Sequence, residues 1–336
     1  MQNATNTNKL TKTSSRLILA TLLALLLGAS NNSAHCENIH IKTIAITEIV
    51  AHPSLEQAKS GIIDELKEQG YEVNKNLKII EENAQGSIAN TVLIAKKFVS
   101  LKPDVIIPIS TPSAQAALKV GKRSSIPIVF SSVSDPIAAG LVKSLDEPNS
   151  AIIGASDFAA ISEELRLIEA IVPNIKTIGV IYSAGEANSI KTLELLKEKL
   201  NGKWKVIESA VPNSNMVAEA MRALVGKVDA VYLPSDNTVF SAMAKVVQIA
   251  KENRLPLFSS DPDSVAQGVL ACYGYTQYLV GRTAGNLVAK LLRGEKIEDL
   301  RITNPKQSVI VINKSTADLL GIATPTQLLG KNIKLI

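Results

Sequence analysis

Four short stretches hold most of the side chains that could bind something. Ser110-Thr111-Pro112-Ser113 follows an apolar run and opens an amphipathic one. Proline suits a first helical turn, whose free N–H groups and hydroxyls can hold one carboxylate. Pro234-Ser235-Asp236-Asn237 occupies the matching place later in the chain and puts an acid where the first has a hydroxyl. Ser131-Ser132-Val133-Ser134-Asp135-Pro136 and Ser259-Ser260-Asp261-Pro262-Asp263 form a second matched pair, rich in hydroxyls and acids. An anion site facing a cation site is what a free amino acid requires. Asp157 and Glu186 lie in comparable places, and Tyr182 and Tyr275 offer flat faces for stacking. His52, just before Pro53, could orient a polar group.

The elements that must position these residues alternate. Strands are expected at Ile41–Thr47, Leu77–Glu81, Asp104–Ile109, Ile126–Ser131, Thr177–Tyr182, Lys205–Glu208, Asp229–Leu233, 255–258, 268–272 and Ser308–Asn313. Helical spacing falls at 55–66, 88–100, 112–120, 187–200, 215–225, 237–253 and Tyr278–Arg293. Apolar strands separated by helices predict parallel sheets covered on both faces, an α/β fold.

Three segments recur in order. Ile41–Thr47 matches Ile175–Ile181, Lys102–Ser110 matches Lys227–Ser235, and Ile126–Ser131 matches Leu255–Ser259. The repeat predicts two doubly wound lobes, joined by several crossings that act as a hinge. Their expected extents are 37–154 plus 276–304 and 155–275 plus 305–336, with the ligand cleft between them.

In such sheets ligands sit beyond the carboxyl ends of the strands. The stretches expected there contain no lysine or arginine, although the chain has 36. Phosphate and dicarboxylate sites recruit those cations, so the rim favours an ammonium or a many-hydroxyl ligand.

Composition excludes other classes. With 46% hydrophobic and 20% charged residues in 336, a large core is available. Two cysteines and three histidines cannot supply a structural zinc cluster, and no metal or cofactor is expected. Nucleotide loops and the hydrolase elbow are absent, so no catalytic residue is assigned and an enzyme is not expected.

Lys9, Lys12 and Arg16 carry three of the five net positive charges, leaving no basic footprint for nucleic acid. They precede the apolar run Leu17–Gly28, and small residues follow. Residues 1–36 therefore read as a signal peptide, and the mature chain as exported to the periplasm or its extracytoplasmic equivalent. Cys272 is expected to be a lone buried thiol. A monomer is the default.

Val50–Glu56, Ile109–Gln115, Asp135–Leu141, Gly154–Asp157, Tyr182–Ser189, Pro234–Thr238 and Tyr278–Gly285 together resemble the substrate-binding proteins of an ABC-transporter family that includes binders of tryptophan and other aromatic amino acids. The resemblance spans about residues 41–325. It implies a type I periplasmic-binding-protein fold, no catalysis, and delivery of a ligand to an ABC permease with its ATPase. It places Ser110, Thr111, the Ser132–Asp135 loop, Ser156 and Asp157 on the first lobe or hinge. Tyr182, Glu186, Asn188, Asp236, Asn237 and Asp261 would face them. Val50-Ala51-His52-Pro53 departs from the family's usual Glu-His-Pro. The leading ligand is a hydrophobic or aromatic L-amino acid, with Asp236 and Asp261 on its ammonium and Tyr182 and Tyr275 on its side chain. A nucleoside, purine or sugar binder of the same fold, or a sensing module for a membrane receptor, stays open as an alternative.

Overall fold

The computed structural model describes residues 41–147, 150–158, 160–323 and 332–336, so the signal-peptide segment 1–36 lies outside the described residues. Two sheets carry the chain. The first has the order β2-β1-β3-β4-β5, all parallel. Its strands are β1 (Lys42–Glu48), β2 (Leu77–Asn83), β3 (Val105–Ile109), β4 (Ile128–Ser131) and β5 (Ile152–Ala155). The second contains β6 (Thr177–Ser183), β7 (Lys205–Val211), β8 (Ala230–Leu233), β9 (Leu257–Ser259), β10 (Ala271–Gly274), β11 (Val309–Ile312) and β12 (Ile333–Leu335). Its order β7-β6-β8-β9-β10 repeats that of the first sheet, and β11 then adds antiparallel to β10.

The internal repeat has a physical signature. Asp104 and Asp229, the aspartates shared by the second pair of matched segments, do the same work. Asp104 accepts from the Thr43 N–H at 2.8 Å, just inside β1. Asp229 accepts from the Thr177 N–H at 2.8 Å, at the start of β6. Each carboxylate thus pins the strand that follows it, β3 or β8, to the neighbouring β1 or β6.

Helices α1 (Pro53–Glu68), α2 (Ile88–Leu101) and α3 (Thr111–Gly121) belong with the first sheet. Helices α4 (Ile161–Ile171), α5 (Ala187–Leu200), α6 (Val217–Leu224), α7 (Asn237–Phe240) and α8 (Met243–Glu252) belong with the second. Helix α9 (Gln277–Leu292) returns to the first, where Val280, Ala284, Leu287 and Val288 join its core. Glycines allow this return. A Cβ at Gly281 would strike the Ala58 carbonyl oxygen, and one at Gly285 would lie 2.9 Å from that of Ile62. Backbone therefore meets backbone between α1 and α9. Arg282 bonds Glu65 and Glu68 of α1, each at 2.7 Å.

The chain passes between the sheets near 156–158, 274–277 and 303–308. The first and third passages are tied together, since Ser156 N–H donates to the Thr303 carbonyl at 2.9 Å.

The structure differs from the sequence reading in a few elements. The expected helix 237–253 breaks at 241–242 into α7 and α8. Strands β5 and β12, helix α4 and helix α10 (Lys314–Leu320) were not expected. Cys272 is a free buried thiol.

Candidate functional site

The carboxyl ends of both sheets face one another across a closed cleft. Between them lies a chamber of about 30 Å³, room for a water molecule or two. From the first lobe and the crossings come His52, Ser54, Leu55, Thr111, Ser132, Ser134, Asp157 and Gln277. From the second come Asn188, Ser235, Asp236, Asn237, Phe240 and Asp261. Three carboxylates line this wall and no lysine or arginine does.

Direct bonds span the cleft. Ser54, in the first turn of α1, donates its hydroxyl to Asp261 Oδ2. His52 Nε2 faces Asn237 Oδ1 at 3.4 Å, and the His52 ring stands edge-on to Phe240 with centroids 5.8 Å apart. Gln277, at the start of α9, joins three segments. It accepts from the Ser132 hydroxyl at 2.6 Å, donates to Asp157 Oδ2 at 2.8 Å, and gives its N–H to Asp263 at 2.7 Å.

The acids differ in what they have left to offer. Asp236 caps α7 through the Val239 N–H at 2.9 Å and also accepts from the Ser183 N–H and the Ser189 hydroxyl, both at 2.6 Å. Burial, with Glu186's charge behind it, pushes its carboxyl up to about 7. Asp261 caps the 3₁₀ turn at Pro262–Gln267 and holds Ser54; burial and then Asp263 push it up to about 8. Burial also raises Asp157 against the hydrogen bond that Gln277 gives its Oδ2, yet its Oδ1 is buried with no partner. Asn188 Oδ1 is likewise buried and unpartnered, because its Nδ2 is committed to the Ser235 carbonyl at 2.5 Å and to Glu186. Two acceptor oxygens on one small chamber thus lack donors. Buried polar atoms in that condition point to a missing partner.

Ser110 and Ser113, at the start of α3, carry buried hydroxyls without partners. Ser110 does not cap the helix with its side chain. Its φ of +83° and that of Ser132, +59°, are held in a region unfavourable to serine.

Of the residues singled out in the sequence, Thr111, Ser132, Ser134, Asp157, Asn188, Asp236, Asn237 and Asp261 line the chamber, with Ser110 just behind Thr111. Others stand elsewhere. Asp135 receives the N–H groups of Ile137 and Ala138 and builds a turn. Ser156 donates to the Ser134 carbonyl at 3.3 Å. Glu186 accepts from the N–H groups of Asn237 and Thr238 and fixes the start of α7. Tyr182 is turned away from the chamber, its hydroxyl 3.4 Å from Glu208 on neighbouring β7. Tyr275 packs on the first lobe's core. The sequence reading passed over Ser54, Leu55, Phe240 and Gln277. Of these, Gln277 stands where the chain crosses between the sheets, from which a side chain can reach both lobes.

A second space of about 270 Å³ adjoins the first and shares Asn237 as a wall. It opens between Ile49, Val50, Ile88 and Pro112 of the first lobe and Glu186 and Thr238 of the second.

Two lobes that meet across a polar cleft describe a binding protein, and the family comparison agrees. The family model for ABC transporter substrate binding proteins matches residues 43–336. The chain belongs to this family. A tyrosine-binding protein of Clostridioides difficile (strain R20291) is 40% identical to this substrate-binding protein over 310 residues, covering 92% of this chain and 88% of that one. The structure of an ABC domain in complex with L-Trp from Streptococcus pneumonia superposes with a TM-score of 0.83 at 32% identity, over 88% of this chain and 100% of that one. The ligand-free, open structure of a substrate binding protein with adhesive properties from Clostridium difficile gives 0.66 at 38% identity, over 88% and 99%. The lower score against an open form at higher identity fits the closed cleft seen here. More distant solute-binding proteins share only the fold, that of the type I periplasmic binding proteins. The family is extracytoplasmic. Among the described residues no helix is long and apolar enough to cross a membrane.

Proposed function

We propose that this substrate-binding protein closes on an aromatic L-amino acid outside the cytoplasm and delivers it to an ABC permease with its ATPase. In this reading residues 1–36 direct export, and lobes of residues 37–154 plus 276–304 and 155–275 plus 305–336 move about the crossings. The observation that carries the ligand class is the wall of Asp157, Asp236 and Asp261 without a balancing lysine or arginine. Buried carboxylates need a cation or protons, and an ammonium supplies the first.

The roles follow from what each group has free. Asp157 Oδ1 and Asn188 Oδ1 take the ammonium, since both are acceptors without donors. Asp236 and Asp261 stand behind them with their oxygens tied to the protein. The hydroxyls of Ser110 and Ser113 and the N–H groups opening α3 take the carboxylate. Leu55, Phe240 and His52 face the side chain. The two relatives named for tyrosine and for tryptophan support an aromatic ligand. An amino acid fits only as the lobes part slightly, which joins the small chamber to the larger one past Asn237.

The test is a thermal-shift and calorimetric screen of protein first unfolded and refolded to strip carried-over ligand. A hundredfold excess over Kd stabilises by about 2.7 kcal/mol, readily seen as a shift of several degrees. Shifts confined to aromatic amino acids support the reading. Shifts with sugars or nucleosides alone refute it.

A further inference from the structure

We propose that His52 Nδ1 accepts a hydrogen bond from the ligand's ring, so that the site prefers a ring bearing a hydroxyl or N–H over the plain phenyl of phenylalanine. The proposal rests on the aromatic-amino-acid reading above.

The argument starts at Glu186. Its carboxylate accepts from both the backbone N–H and the Nδ2 of Asn237. Only a donor can face a carboxylate in this way, so the Asn237 amide has one orientation and its Oδ1 points to His52. His52 Nε2 must then carry the hydrogen. Nδ1 is left as a bare lone pair, provided the ring is neutral. Burial ensures that, pushing the imidazole down to about 4.

Nδ1 is buried and has no partner. The residue is 6% exposed and lines the chamber. An acceptor in that setting needs a donor. The ligand's ammonium is the other donor available, but Asp157 and Asn188 compete for it with two free oxygens, one of them charged. His52 stands with Leu55 and Phe240 instead, the apolar part of the wall, where a ring belongs. It also faces Asn237, the residue that separates the small chamber from the larger one.

Calorimetry on refolded protein with L-tyrosine, L-tryptophan, L-phenylalanine and 4-fluoro-L-phenylalanine tests this. The fluoro compound fills about the space of tyrosine but donates nothing. Tyrosine or tryptophan should bind the wild type at least tenfold tighter than phenylalanine, with the fluoro compound close to phenylalanine. In His52→Phe, which keeps a ring against Phe240 but loses the bond to Asn237, phenylalanine also binds more weakly, while the advantage of tyrosine or tryptophan over it collapses to near one. His52→Asn, whose Oδ1 can reach the place of Nδ1, should restore part of it. Equal wild-type affinity for all four compounds overturns the proposal, as does an unchanged preference in His52→Phe. If His52→Phe fails to fold, the wild-type series and His52→Asn decide. If none of the four binds the wild type, the aromatic reading itself falls, a result distinct from aromatic binding without preference.

Discussion

Replacing Asp157 by asparagine separates ligand recognition from stability, because the two should move in opposite directions. Asp157 Oδ2 is held by Gln277 Nε2 at 2.8 Å, and Oδ1 is buried and unpartnered. Asparagine keeps the size of the side chain and can still accept from Gln277, but its Nδ2 then faces the ligand's ammonium. The loss is one charge-assisted hydrogen bond, about 1.5–3 kcal/mol, or roughly 10- to 150-fold in Kd. Burial disfavours the ionised carboxylate, so removing it should raise the melting temperature of the ligand-free protein. Titration calorimetry of the preferred amino acid gives the first quantity and thermal unfolding without ligand gives the second. A deaminated analogue supplies the control, since it should bind wild type weakly and Asp157→Asn no worse. A Kd within threefold of wild type for the amino acid, or an equal loss for the deaminated analogue, would refute the ammonium assignment.

Further outcomes follow from other parts of the molecule. Tyr182→Phe should leave ligand affinity unchanged, because the hydroxyl meets Glu208 and not the cleft; a tenfold loss by calorimetry would return Tyr182 to the site. Gly281→Ala should destabilise by about 1–3 kcal/mol in denaturant unfolding, since the added methyl meets the Ala58 carbonyl; a neutral result would mean that α1 and α9 are not in backbone contact. Asp261, raised from 3.8 to about 8 in the closed form, where Ser54 of the other lobe covers it, holds a proton there that a solvated carboxylate of an open form releases. Closure without ligand is therefore favoured at low pH and weakens as pH rises from about 4 to about 8, by up to about 1.4 kcal/mol per pH unit. Small-angle scattering of ligand-free protein should show a smaller radius at pH 5 than at pH 8.5, and an unchanged radius would contradict the linkage.

Much of this architecture is written in strands that are apolar throughout. Strands β3 and β8 are buried at every position, and such runs show themselves without knowledge of their neighbours. The repeated Lys-x-Asp segments were legible because Asp104 and Asp229 do one job twice. Strand β5 was not, because Gly154, required where a Cβ would strike the Phe130 carbonyl of β4, cuts its apolar run short, and α4 lacks a capping side chain at Ala160. The site divides the same way. Which acids stand at strand ends follows from order along the chain, so Asp157, Asp236 and Asp261 could be named. Whether an acid is spent on its own protein depends on donors brought from afar, Ser54 to Asp261 and Ser183 to Asp236, which no local pattern reveals. The face on which Tyr182 ends is set by pairing with β7, and Gln277 reaches the chamber only because α9 crosses to the other lobe.

That crossing also orders events in time. The apolar side of α1, with Ala58, Ile62 and Leu66 fully buried, is covered by a helix that begins some two hundred residues later in the chain. During synthesis from the amino end, the first sheet can assemble long before its lid exists. Helix α9 emerges only after most of the second lobe, so the first lobe must wait, half-finished, for its neighbour. Contacts of such long sequence separation slow folding. The nascent chain therefore stays loose until nearly all of it has been made, and the two lobes mature together instead of in turn.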